Sequence, residues 1–323
     1  MRKRFYILFL LMLLSAFPAS ATHFMGGEII WECLPNGNFR FIMRVYRECY
    51  STGGGPAATY GNTEFLTGPY GNITMNLYPN AIQGKKDMSP VCHPQSTPHY
   101  ACELPVSAGM APNLGATQEW TYTSDQSHPN GVTLNGVPPA SGWTFFWDGC
   151  CRNSAANYNG QPNWYLRAVM YPYNGQNTYP CFDNSPRFLA RPNAALPVGY
   201  PFTYNHNGAD WDRDSLAFEF APSFTGAGAQ VPYISPYTYN NPLPGPTVNP
   251  QNVAATIDPN TGEISFTSFT QGAYITVTKV TAYRCGIKIA EVFREIQVAL
   301  LPSLVVNYPL TNMVANFPPD VVL

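Results

Sequence analysis

Three aspartates, Asp210, Asp212 and Asp214, stand at every second position of the stretch HNGADWDRDSL, residues 206–216. In an extended chain all three carboxylates point to one side. Like charges a few ångströms apart repel, so something must compensate them: a metal ion, the adjacent Arg213, or water at an exposed turn. Counted from Asp210, an EF-hand loop needs Gly at the sixth position and Glu at the twelfth. The chain has Ser215 and Ala221 there, which excludes that motif.

Other residues could carry chemistry. In CHPQSTPHYAC, Cys92, His93, His99 and Cys102 form a candidate zinc set. Structural zinc prefers separated knuckles to so compressed a run, and an oxidising compartment would join the two thiols instead. The expectation is a disulfide-closed loop. The adjacent Cys150 and Cys151 of WDGCCRN are expected in two separate bridges rather than as a catalytic thiol. No G-x-S-x-G, no H-E-x-x-H and no phosphate-binding Gly loop occurs. A hydrolase needs only two carboxylates, but nothing singles out a pair, so no enzyme activity is expected. Trp143, Trp147 and Trp164, with Tyr233, Tyr237 and Tyr239, could stack on sugars; core packing is the plainer reading of the tryptophans.

The elements that must position these residues read as β throughout. Residues 1–21 form a signal peptide: basic Arg2, Lys3 and Arg4, a short apolar run from Phe5 to Phe17, and small residues ending at Ala21. The run is too short to span a bilayer and no other stretch comes near that length, so the mature chain is expected to carry no transmembrane segment and to lie outside the cell or on its outer surface. Of 17 basic residues the leader takes three, leaving 14 against 19 acidic, a net charge of −5. No basic block remains, which argues against nucleic acid as a partner. Charged residues are only 11% while aromatics reach 14%, with 26 Gly and 32 Pro, a composition of short strands joined by turns rather than of disorder.

Eight cysteines, Cys33, Cys49, Cys92, Cys102, Cys150, Cys151, Cys181 and Cys285, read as a disulfide framework in an exported chain. Eight allow about 105 pairings; the local expectations are Cys33 with Cys49 and Cys92 with Cys102. In NFRFIMRVYREC, Phe39, Phe41, Met43 and Val45 share one face and Arg40 and Arg44 the other. ITMNLY, QEWTYT, GWTFFW, WYLRAVMY, SLAFEF, GEISFTSF and GAYITVTKVTAY are strand-like as well. In IKIAEVFREIQVAL, Ile289, Val292, Phe293 and Ile296 also fit helical spacing; a strand is expected because the run follows another strand. Seven of the eight cysteines and the long Gly/Pro/Asn-rich loops precede residue 182. A boundary is therefore expected near 180–190, between a disulfide-stabilised, loop-rich β domain over 22–180 and a second β-sandwich over 181–300. Residues 301–323 read as a linker or the start of a further unit, the chain being a piece of something longer.

Two resemblances extend this reading. FDNSPRF, with Asp183, Asn184, Pro186 and Phe188, resembles the D-N-x-P-x-F linker ahead of cadherin-type β-sandwich repeats, and IDPNTGEISF resembles a hairpin of the same repeats. The resemblance implies calcium held jointly by Asp183, Asn184, Asp210, Asp212 and Asp214; the alternative is a solvated loop that Arg213 partly neutralises. Asp258 of DPNTG is expected to shape a turn, with Gly262 at positive φ. The mature start THFMGGEIIWECLPNGNFRFIMRVYREC resembles the opening module of large secreted surface proteins of the Bacteroidota, through His23, Gly26, Gly27, Glu28, Ile29, Cys33, Val45, Tyr46, Arg47 and Cys49, with Glu48 replacing the usual Asp. WDGCCRN, NSPRF, YNHNGADWDRDSLAFEF and YRCGIKIAEVFREIQV follow in the family's order, with Arg213 where Gly is usual. That family is associated with gliding motility, surface adhesion and type IX secretion. The resemblance implies a non-enzymatic adhesin or structural stalk with a cadherin- or immunoglobulin-like domain and a calcium-stiffened junction. The alternatives are a carbohydrate-binding module attaching cells to polysaccharide and, behind it, a hydrolase; the partner is a surface protein or a polysaccharide.

Overall fold

The computed structural model describes residues 24–48, 61–78, 84–87, 117–150, 152–160, 162–174, 181–192 and 195–302. The leader, Cys49, Cys92, Cys102 and Cys151 lie outside them, as does the chain after 302. The first half supplies β1 (Phe24–Cys33), β2 (Phe39–Glu48), β3 (Thr63–Gly68), β4 (Gly71–Leu77), β5 (Lys85–Asp87), β6 (Thr117–Thr123), β7 (Trp143–Gly149) and β8 (Trp164–Met170). Then come β9 (Arg187–Phe188), β10 (Ala195–Pro197), β11 (Pro201–Asn205), β12 (Gly208–Ala209), β13 (Ser215–Phe220), β14 (Phe224–Thr225) and β15 (Ala229–Gln230). The last are β16 (Val253–Ile257), β17 (Glu263–Thr267), β18 (Gly272–Arg284) and β19 (Ile287–Leu301). The fold is all-β, as the alternating runs predict, and no helix among the described residues is long and apolar enough to cross a membrane.

Eight of these strands pair in a closed antiparallel ring, in the order β1-β2-β6-β4-β3-β7-β8-β19 and back to β1. Closure removes the exposed edges that invite aggregation. It is thin at one seam, where Thr67↔Phe146 is the lone register pair between β3 and β7. The expected faces hold: Phe39, Phe41, Met43 and Val45 point inward, with Trp31, Phe145 and Trp164. Each such side chain taken from water contributes about 1.5–3 kcal/mol. Gly26 and Gly27 let β1 approach its neighbours. A Cβ on Gly26 would lie 2.0 Å from the Glu295 carbonyl oxygen, and one on Gly27 2.4 Å from that of Arg44.

Beyond the ring, β19 pairs along its other edge with β18, and β18 with β13, while β10 lies parallel to the end of β19. The antiparallel sheet β11-β17-β16 stands apart from them, and Phe202, Phe220, Ile264, Phe266, Tyr274 and Val298 pack in the core the two share. These two strand orders are those of the immunoglobulin-type sandwich. Residues 287–300 form a strand, as expected. Ten consecutive residues of β19 are buried, and a strand covered on both faces loses its period of two. That loss is why the run also fits helical spacing.

The sheet runs across residues 180–190, because β19 pairs with β1 and β8 of the first half. One long hairpin, β18–β19, serves both cores. Cys33 is bridged to Cys181, with Cα atoms 5.7 Å apart and a sequence separation of 148, and not, as expected, to Cys49. The register explains this: Cys33 faces Phe39 at the turn end of the β1–β2 hairpin, whereas Glu48, the neighbour of Cys49, ends the far side. Ten residues of strand put those ends about 30 Å apart. Cys150 is disulfide-bonded as expected. Cys285 is a free, exposed thiol rather than a bridged one; it occupies the β18–β19 turn, where it and Gly286 take φ of 51° and 78°.

Candidate metal centre

Three segments meet beside that turn. The Cys33–Cys181 bridge anchors the first, and Ser185 fastens it to β1: the Trp31 N–H donates to Ser185 Oγ at 2.9 Å, and the Ser185 N–H to the Trp31 carbonyl at 3.1 Å. Asp183 is thereby fixed in a buried position. The second segment is the β12–β13 loop, and the third is Arg284 at the end of β18. The pairing Ser215↔Tyr283 continues to set Asp214 opposite Arg284.

The aspartate loop is a turn rather than an extended run. Asp210 Oδ1 accepts the N–H groups of Asp212 at 2.8 Å and Asp214 at 3.2 Å, so the loop wraps around this carboxylate. Arg213 takes φ of 65°, the left-handed region glycine adopts most easily. Its side chain is exposed and makes no ion pair among the described residues, so it is not the compensating charge. Arg284 takes that part. It donates from Nε and Nη2 to both oxygens of Asp214, at 2.8 and 2.6 Å, and from Nη2 to Asp183 Oδ1 at 3.0 Å. Asp212 Oδ2 lies 3.8 Å from the same nitrogen. Its hydrogen bonds to Asp214 raise the Arg284 pKa further.

One guanidinium thus faces three carboxylates, with Asp210 beside them in the loop. Ligand oxygens of Asp183, Asp212 and Asp214 lie within 4.8 Å of one another. Asp183 Oδ2 and Asp210 Oδ2 are buried and have no hydrogen-bond partner among the described residues. Burial pushes the Asp183 pKa up to about 8; Arg284 opposes the shift, and Asp212, Asp210 and Asp214 add to it. Burial also raises Asp210. The converging oxygens suit a hard, oxygen-preferring cation, whose ligands at 2.3–2.6 Å stand at most about 5 Å apart. Asn184 is present but does not offer oxygen inward. Its Oδ1 accepts the Cys33 N–H at 2.9 Å, and its backbone N–H and Nδ2 donate to Asp212 at 2.6 and 3.1 Å. It positions Asp212. Asp210 shapes the loop, so the converging set is Asp183, Asp212 and Asp214.

A second charge cluster lies inside the fold. Arg294 donates to Glu28 at 2.6 and 2.9 Å, and Arg44 donates to Glu28 at 2.8 Å. Arg294 Nη1 also reaches the Ala190 carbonyl at 2.6 Å and His206 Nδ1 at 3.2 Å. Burial works against the Glu28 charge, yet Arg294 and then Arg44 hold its pKa below the ordinary range. Burial and the Arg294 charge push His206 well down. Arg152 of WDGCCRN makes a buried bidentate pair with Glu295 at 2.8 and 3.1 Å, again a structural contact.

The remaining sequence candidates resolve simply. Trp143, Trp147 and Trp164 are core residues, 8%, 4% and 0% exposed, which removes them as a sugar surface. Tyr237 is buried, Tyr233 half-buried and Tyr239 exposed. Asp258 Oδ1 accepts the N–H groups of Asn260 and Thr261, both at 2.8 Å, and Gly262 takes φ of 73°, the expected turn. Sequence reasoning missed Arg284; its place before the Cys-Gly turn would identify it only once the strand register was known. No family model, curated protein or solved structure matches the chain.

Proposed function

We propose that the protein is a non-enzymatic exported or cell-surface β protein, an adhesin or structural stalk, whose acidic cluster takes one calcium ion. The observation that carries the calcium reading is Asp183. Its buried carboxyl group keeps one oxygen unpartnered beside Asp212 and Asp214, and a single arginine faces all three. Calcium takes six to eight oxygen ligands, and three carboxylates supply three to six of them, water completing the shell. The ion would tie the disulfide-anchored segment, the β12–β13 loop and the long hairpin at one point, stiffening the place where the two cores meet.

Export is supported by the leader motif and the disulfides. The ordered motifs shared with large secreted Bacteroidota surface proteins favour an adhesive or stalk role. A hydrolase would need two carboxylates facing each other across an open cleft. Carboxylates drawn together around Arg284 suit ion binding better. Isothermal titration of calcium chloride into the metal-free protein tests the reading. One site per chain is expected, with Kd near 10⁻⁴–10⁻³ M as in extracellular modules, and no heat from the Asp183→Asn, Asp212→Asn double variant. Equal heats from both proteins would contradict it.

A further inference from the structure

Trp211 lies between two members of the acidic loop and is 58% exposed, in contrast to the buried tryptophans of the ring. One face of its indole is already occupied: the Arg187 guanidinium lies 3.4 Å from the ring centroid. Arg187 is itself buried and held by Glu32 Oε1 at 3.0 Å, so the indole rests on a fixed cationic support. With Arg187 against the ring, the residue is still 58% exposed. The pairing Ala209↔Arg187 places this loop beside β9, and Leu189, two residues past Arg187, is 61% exposed. Asp212, the most exposed of the three converging carboxylates at 26%, opens the acidic cluster toward the same loop.

We infer that Trp211 is the stacking platform of a saccharide site, with the neighbouring cation as its second contact; the inference rests on the calcium reading above. A pyranose presents an apolar C–H face that lies flat on an indole, and hydroxyl groups at its rim. A calcium ion held by three carboxylates keeps positions open for neutral oxygens, and two adjacent sugar hydroxyls can fill them in place of water. Charge selects the ligand. Four carboxylates, Arg213, Arg284 and a divalent ion sum to zero, so the loop has no net charge with which to hold an ionic ligand and suits a neutral sugar. The site thus fits a neutral polysaccharide and gives the adhesive reading a ligand class.

The test is capture of the full chain on immobilised neutral gluco-, manno- and galacto-configured oligosaccharides, in 5 mM calcium chloride and in chelator. Melting curves are recorded for each protein. The wild type is expected to bind at least one oligosaccharide in calcium and to release it in chelator. Trp211→Ala should weaken that binding at least about tenfold, a loss of 1.4 kcal/mol, while keeping the calcium-dependent rise in melting temperature. Trp211→Phe, which retains a ring, should keep most of the binding. Two results overturn the inference: a wild type that melts higher in calcium yet captures no oligosaccharide, and capture unchanged by Trp211→Ala. Failure of the calcium reading looks different. The wild-type melting temperature then ignores calcium, and Trp211-dependent capture that survives chelator overturns the cation-bridged mode.

Discussion

Two charge clusters lie along the β18–β19 hairpin, and they are built on opposite principles. Around Glu28, two arginines face one buried carboxylate, and Arg294 spends its remaining donors on the carbonyls of Ala190 and Phe188. Around Asp183, one arginine faces three carboxylates, and two buried oxygens, one of Asp183 and one of Asp210, have no partner among the described residues. Burying a charge is costly unless it is paired and hydrogen-bonded. The first cluster meets that condition with its own side chains. The second meets it only in part, which makes it the place where an ion from solution changes the energy. Strong perturbation alone does not mark a functional site: Glu28 and Asp183 are both buried, and the difference lies in what remains unsatisfied.

The largest expected effect comes from breaking the satisfied cluster. Arg294→Ala leaves Glu28 buried with only Arg44 beside it, and should cost about 3–5 kcal/mol in denaturant unfolding, the same in calcium and in chelator. Next, Cys33→Ala with Cys181→Ala frees the segment that carries Asp183. A loss of about 2–5 kcal/mol is expected, and calcium titration of the folded variant should show weakened binding. An unchanged calcium affinity would mean that the bridge does not position the site.

The two clusters should also answer pH with opposite signs. Asp183 keeps in the folded state a proton that the unfolded chain releases near pH 3.8. Its contribution to stability is full below pH 3.8 and is lost as pH rises toward about 8. His206, facing Arg294, Thr278 and Tyr204, stays neutral when folded. Its contribution is full above pH 6.5 and is lost as pH falls below that value. In chelator, Asp183→Asn should flatten the alkaline decline and raise stability at pH 8, while His206→Gln flattens the acid limb. Urea midpoints from pH 4 to 8 decide this, and a shared sign would break the contrast. The smallest effect is expected at Arg213→Gly, which relieves the φ of 65° by about 0.5–1 kcal/mol and leaves calcium binding intact.

The strands were legible from period two wherever one face meets solvent, as in Phe39–Val45. β19 was ambiguous because both of its faces are covered. The aspartate cluster could be read from spacing, and the convergence of Asp183 with Asp212 and Asp214 was implied by resemblance to calcium-binding linkers. Arg284 could not be read, since its role depends on the register of β13 against β18. The Cys33–Cys181 bridge was hidden for a similar reason: it spans 148 residues, and local spacing favoured Cys49. A single hairpin supplies strands to both cores, an arrangement that composition does not record. Asn184 was placed rightly beside the aspartates, but hydrogen bonding turns its oxygen to Cys33.

Calorimetric melting of the wild type at pH 7.5, in chelator and in 10 mM calcium chloride, tests the central claim most directly. With Kd near 10⁻⁴ M, binding stabilises the folded state by about 2.7 kcal/mol, a rise of roughly 4 °C for a chain of this size. The same addition should leave the Asp183→Asn, Asp212→Asn variant unmoved. A wild-type melting temperature that calcium does not shift would contradict the account and reduce the cluster to an acidic turn held by Arg284.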